Sequence, residues 1–202
     1  MWSRKGENVL HHWGDVFEGK IFVPGRKFVR IPNVTSESFL SMSFANCGPG
    51  DSVSETIEIF DWEDGSYLQS IELLPILSNV EFPLFRQFLN NCADPIHLND
   101  VVIVKLESHA KLFPEGQIGD LLISMREINT IEQLDRNTHK VKWRSSLFAR
   151  QHNPRITDYG TIIVFDNLAS SVDNGRSRYN RGRYCGEFNR WNLGGNGRRF
   201  LG

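Results

Sequence analysis

The chain has 202 residues, 40% hydrophobic and 23% charged, with a formal net charge of −1. That is the composition of a soluble globular protein with room for one sizeable core, and nothing in the overall charge points to a nucleic-acid partner. No apolar run approaches the ~20 residues that a membrane helix requires, so no membrane partner is expected. Residues 1–8 lack the apolar stretch of a signal peptide, and the compartment stays open. Cys47, Cys92 and Cys185 are odd in number and lack metal-type spacing, so neither a disulfide framework nor a cysteine metal site is expected.

Read in chain order, almost every segment with a clear pattern is a strand. The first motif, His11-His12-Trp13-Gly14-Asp15, precedes an apolar strand at residues 20–23. Residues 35–50 read as an edge insertion. A hairpin follows, from strands 56–60 and 67–71, and residues 80–88 suggest a short helix that Pro83 weakens. The second motif, His97-Leu98-Asn99-Asp100, leads into strand 101–106. A long loop over 107–117 then reaches strand 121–124, which ends in Ser124-Met125-Arg126. A second hairpin pairs 130–135 with 140–143. The third histidine motif, Gln151-His152-Asn153-Pro154, precedes strand 161–165. Residues 176–202 form a tail rich in Arg, Asn and Gly. The strands are short, rich in β-branched residues and bounded by Gly, Asp, Asn and Pro.

The order repeats. A histidine-bearing strand leads to a glycine (Gly19, Gly119, Gly160), then to an apolar strand, then to a hairpin whose turn begins with Asp61 or Asp135. Four short antiparallel strands recurring every ~40 to 50 residues are the signature of a β-propeller. The expected fold is therefore all-β, with a partial propeller over residues 1–175 and a basic tail over 176–202. Innermost propeller strands begin at the central channel, so the histidines converge on one axis.

The candidate site follows from that convergence. Period-two geometry places His97 and Asn99 on one strand face. Arg126 is a permanent cation whose forked donors suit a tetrahedral oxyanion. Imidazoles, an amide and a guanidinium suit a sulfate-like or phosphate-like group. The structural alternatives are that Arg126 pairs with Glu127 or Asp100, that Asn99-Asp100 caps a turn, and that the tryptophans pack between sheets. His109 and His139 read as solvated surface. A histidine zinc site is the competing chemistry, and Arg126 argues against it because a fixed cation repels a dication. No metal is expected.

At these residues the chain resembles the aryl-sulfate sulfotransferases. The likeness runs from about Leu10 to Asn167 and is densest at His97-Leu98-Asn99, from Gly119 to Trp143, and from Gln151-His152 to Phe165-Asp166-Asn167. The resemblance implies a propeller of about six blades, of which this chain carries about three to four. It implies transfer of a sulfuryl group from an aryl sulfate to a phenol, without a nucleotide donor or other cofactor. It makes His152 the transiently sulfated nucleophile. His97, Asn99 and Arg126 become the groups around the sulfuryl oxygens and leaving phenolate, and His11 or His12 the first channel histidine. Members of the family are longer and often periplasmic or exported, so this chain is expected to be a partial propeller whose own activity stands in question. The alternatives carried forward are a non-catalytic binding propeller and an aryl sulfate hydrolase.

Overall fold

The computed structural model describes residues 8–31, 50–78, 94–148, 150–167 and 185–188. These residues are all-β, with twelve strands and two short helices in three antiparallel sheets. The first sheet contains β1 (Val9–Leu10), β2 (Asp15–Phe17), β3 (Lys20–Ile31), β4 (Gly50–Asp61) and β5 (Tyr67–Glu72). The second runs in the order β6 (Leu98–Ile103), β7 (Leu121–Met125), β8 (Thr130–Leu134), β9 (Val141–Ser145). The third runs β10 (His152–Ile156), β11 (Ile162–Phe165), β12 (Cys185–Phe188). The described residues form no closed barrel or propeller.

The repeated turn chemistry is built twice in the same way. Asp61 Oδ1 accepts the backbone N–H of Glu63 at 2.8 Å and of Asp64 at 3.3 Å. Asp135 Oδ1 accepts those of Asn137 at 3.0 Å and Thr138 at 2.7 Å. A short carboxylate closing its own turn is why Asp ends the strand in both hairpins. The glycines that open the apolar strands likewise share one conformation, with φ of 70° at Gly19, 93° at Gly119 and 74° at Gly160. A side chain is strained there.

The second sheet lies between two cores. Val101, Ile103, Leu121, Ile123 and Met125 pack with Ile57, Ile59 and Ile71 of the first sheet. Val102, Leu122 and Ile131 pack with Ile162 and Val164 of the third. Every residue of β6, β7 and β8 is buried, including the polar Asn99, Asp100, Thr130, Glu132 and Gln133. Helix α1 (Leu73–Ser78) seals one edge by burying Leu73, Leu74 and Leu77. Its Pro75 lies in the first turn, where a missing N–H costs little.

Polar contacts join the sheets along their inner strands. Asp15 Oδ2 accepts the Ile103 N–H at 2.9 Å, and Oδ1 lies 2.5 Å from Lys105 Nζ. One repeat later Asp100 Oδ2 accepts from Arg155 Nη1 at 2.9 Å. Asp15 and Asp100 each sit three residues after a histidine, His12 and His97, so the sequence repeat is also a repeat of inter-sheet ties. Trp13, between β1 and β2, forms an isolated parallel bridge with Asp100.

Several expectations need correction. His109 is buried at 6% exposure on α2 (Glu107–Ala110), and His139 is half-buried, so neither is solvated surface. The loop expected over 107–117 turns inward on that helix and carries His109 with Ala110 and Phe113 into the core. Trp143 packs edge-on against Phe113 at 5.2 Å between ring centres, but Trp13 and Trp62 are exposed rather than packed between sheets. The helix read at 80–88, the insertion at 35–49, Cys47 and Cys92 lie outside the described residues, as does the tail except for β12.

Removing the Asp15 carboxylate should loosen the first two sheets. Asp15→Ala strands a backbone N–H and is expected to cost about 1–3 kcal/mol in chemical denaturation. Lys111→Ala, which removes an exposed helical pair with Glu107 at 3.8 Å, should stay within about 0.5 kcal/mol.

Candidate functional site

The second and third histidine motifs each sit at an irregularity of their inner strand. Leu98 pairs with Met125 and Asp100 with Ser124, so Asn99 is an extra residue in a β-bulge. His152 pairs with Phe165 and Arg155 with Ile163, so one extra residue also falls at Asn153-Pro154. His12, His97 and Asn153 all have positive φ, at 61°, 53° and 54°. Bulges re-aim side chains beside functional sites, and non-glycine residues held at positive φ need support from their surroundings. His97 therefore stands just outside β6, and period-two alternation does not relate it to Asn99.

The imidazoles nonetheless converge. Ring centres are 4.8 Å apart for His11–His12, 5.2 Å for His12–His97, 6.2 Å for His11–His97 and 6.3 Å for His12–His152. His12 Nε2 and His97 Nε2 are 3.1 Å apart across 85 residues of sequence. Beside them an open pocket of about 380 Å³ is lined by His12, Trp13, Asn99, Asp100, His152, Asn153 and Arg155.

His152 is held from two sides. Its Nδ1 lies 3.0 Å from the Arg150 carbonyl oxygen and 2.5 Å from Asn167 Nδ2, which itself donates to that carbonyl at 2.7 Å. Gln151, fully buried, anchors the preceding position: its Nε2 donates to the carbonyls of Met125 at 3.0 Å and Thr130 at 2.9 Å. Asn99 Nδ2 donates to the Gln151 carbonyl at 2.6 Å, so one of its hydrogens ties the second sheet to the third. Arg126 pairs loosely with Glu127 at 3.5 Å, and its Nε is buried with no hydrogen-bond partner among the described residues. The alternative pairing of Arg126 with Asp100 is replaced by Asp100–Arg155, and Asn99-Asp100 forms part of β6 rather than a turn cap.

Behind His97 lies a charged network absent from the sequence reading. Asp94 Oδ2 is 2.5 Å from His97 Nδ1 and accepts from Arg26 Nη2 at 2.8 Å. Arg26 Nε donates to Glu55 Oε1 at 3.1 Å, and Glu55 Oε2 lies 2.9 Å from His11 Nε2. Arg26 and Glu55 are direct cross-strand partners on β3 and β4. Asp94 precedes His97 by three residues, a spacing that is visible in sequence. The Arg26–Glu55 contact emerges only once the β3–β4 register is known.

Burial pushes His11 and His12 down to about 4. Arg26 and His97 reinforce the effect at His11, and the neighbouring imidazoles and Arg26 do so at His12. His152 is also lowered, first by burial and then by the Arg126 charge and His97, against the hydrogen bond to Arg150. These three imidazoles are therefore neutral at pH 7. Burial raises Glu55 to about 8 and, against the Arg155 charge, Asp100 to about 6. Burial also opposes ionisation of Asp94, but the His97 hydrogen bond and the charges of His97 and Arg26 outweigh it and bring the carboxyl to about 2.

The arylsulfotransferase (ASST) family model matches residues 3–186, most of the chain. Neither the curated proteins nor the solved structures gave a match. The chain belongs to the arylsulfotransferase family, and that membership points to aryl sulfotransferase activity acting on aryl sulfate and phenol substrates.

The histidine titrations check the electrostatics directly. In NMR titration, His11 and His12 should change charge near pH 4, and His152 below the ordinary imidazole value of about 6.5. Midpoints near 6.5 for His11 and His12 would mean that the cluster is open to water.

Proposed function

We propose that this arylsulfotransferase-family chain moves a sulfuryl group from an aryl sulfate to a phenol through a sulfated His152, and that its sheets are blades of a propeller. The observation that carries the reading is the convergence of imidazoles from three sequence-distant motifs, of which His12 and His152 line one pocket, with His152 held at Nδ1. In this reading the Nδ1 hydrogen goes to the Arg150 carbonyl, Nε2 keeps its lone pair, and a depressed basicity keeps the ring neutral at working pH.

In the first half-reaction Nε2 attacks the sulfur. An N–S bond forms, the S–O bond to the aryl group breaks, and the departing phenolate takes a proton from the His12–His97 pair. In the second, the acceptor phenol oxygen attacks the sulfur, the N–S bond breaks, and the acceptor's proton returns to that pair. Splitting the transfer lets one site serve donor and acceptor in turn. Arg126, whose charge is felt at His152, and Asn99, which lines the pocket, supply positive charge density to the sulfuryl oxygens as charge develops. Arg155, at the rim of the pocket, adds a second cation toward the substrate anion.

A chromogenic aryl sulfate with and without added phenol tests the reading. Acceptor-dependent turnover is expected. Acceptor-independent turnover would make the protein a hydrolase, and no turnover from folded protein would leave a binding module. His152→Ala should abolish transfer, and His139→Ala should leave it near normal. The acid limb of kcat/KM should fall below pH 6.5, because the active neutral imidazole survives to lower pH when its pKa is depressed. A limb above 6.5, or equal activity in the two variants, rejects His152 as nucleophile.

A further inference from the structure

We infer that Asp94 is a positioning residue for proton transfer: by holding the Nδ1 hydrogen of His97, it turns His97 Nε2 toward His12 and makes that nitrogen the store for the leaving group's proton. This rests on the sulfuryl-transfer reading above. The geometry is specific. Two acceptors cannot approach to 2.5 Å without a hydrogen between them, so the Asp94 Oδ2–His97 Nδ1 contact requires a proton. Arg26 Nη2 lies 3.1 Å from the same imidazole nitrogen and donates to Asp94 Oδ2 at 2.8 Å. The shorter contact, to Asp94, assigns the Nδ1 proton to His97, and Nε2 is left for His12, 3.1 Å away.

The rest of the network keeps Asp94 ionised. Glu55, buried beside it and also on Arg26, is the carboxyl that holds its proton, whereas Asp94 keeps its charge. Asp94 faces His97 Nδ1 and His12 Nε2 faces His97 Nε2, so a proton taken up by the pair rests between the two Nε2 atoms. Burial keeps His12 itself neutral and leaves that proton with His97. When the S–O bond breaks, the shared proton passes to the departing phenolate. His97 and His12 are then both neutral, each with a lone pair on Nε2. The acceptor phenol's proton restores the starting state, so atoms and charges balance over the cycle.

The test is Asp94→Asn in the full chain, assayed against aryl sulfates whose phenols range from strongly to weakly acidic. Acidic phenols such as nitrophenol leave without help, so their sulfates should be cleaved within about threefold of the unmodified protein. The sulfate of unsubstituted phenol should slow by about 100-fold or more, the usual contribution of general acid catalysis. Equal losses across the series, or no loss, would overturn the role. Nitrogen-15 NMR of His97 in the unmodified protein gives a second readout that does not depend on the variant folding. It should show a protonated Nδ1, and a bare Nδ1 would overturn the inference. Failure of the underlying reading has its own signature: no sulfuryl group on the His152 peptide after reaction with donor alone.

Discussion

The site depends on an irregularity of one residue in its inner strands. In regular pleating, Leu98 and Val101 would face opposite sides of the sheet. The extra residue at Asn99 puts both in the same core and frees Asn99 to reach the Gln151 carbonyl. The bulge at Asn153-Pro154 does the equivalent for the third sheet, where His152 begins the strand. The fold thus satisfies two demands that conflict in an even strand, a continuous apolar core and polar side chains turned out at the strand start. Positive φ at His12, His97 and Asn153 is the local cost of that solution.

Once brought together, the polar groups constrain one another electrically. Clustered imidazoles cannot all be charged beside Arg26, and burial settles the matter by keeping His11, His12 and His152 neutral. Asp94 and Glu55 divide along the same lines. Both touch Arg26, but Glu55 is the more deeply buried and its carboxyl is pushed up, while Asp94 also receives the His97 hydrogen bond and is pulled down. Two acidic groups with opposed shifts beside a histidine chain give a proton a defined resting place. A buried ion cluster of this kind adds little net stability, so its presence is better explained by chemistry than by folding.

The sequence was most informative where chemistry is local. Asp61 and Asp135 close their turns with their own carboxylates, and Gly19, Gly119 and Gly160 adopt one backbone conformation, so a repeat read from residue types has a repeat of geometry beneath it. The convergence of His12, His97 and His152 followed from that repeat. What stayed hidden depends on register. Nothing in the local sequence of Arg26 or Glu55 announces that they face each other across β3 and β4 or approach Asp94. Alternation misled at His97 because a bulge is invisible to a period-two template. Placement in an expected loop misled at His109, because a short helix folds that residue inward with Ala110.

The contacts that align the site are also those that hold the sheets together. Asp15 binds the Ile103 N–H, Asp100 binds Arg155, and Asn99 binds the Gln151 carbonyl; each contact crosses from one sheet to the next within a few residues of a histidine. Two cores pack the sheet faces, but apolar packing is non-directional and tolerates sliding of the kind that would part His12 from His97. Hydrogen bonds to fixed backbone groups do not tolerate it. The polar ties therefore set the register between sheets on which a 3.1 Å contact between two imidazoles depends. Stability and chemistry are coupled here through geometry: a change that spares every imidazole but loosens one tie acts on the site through distance.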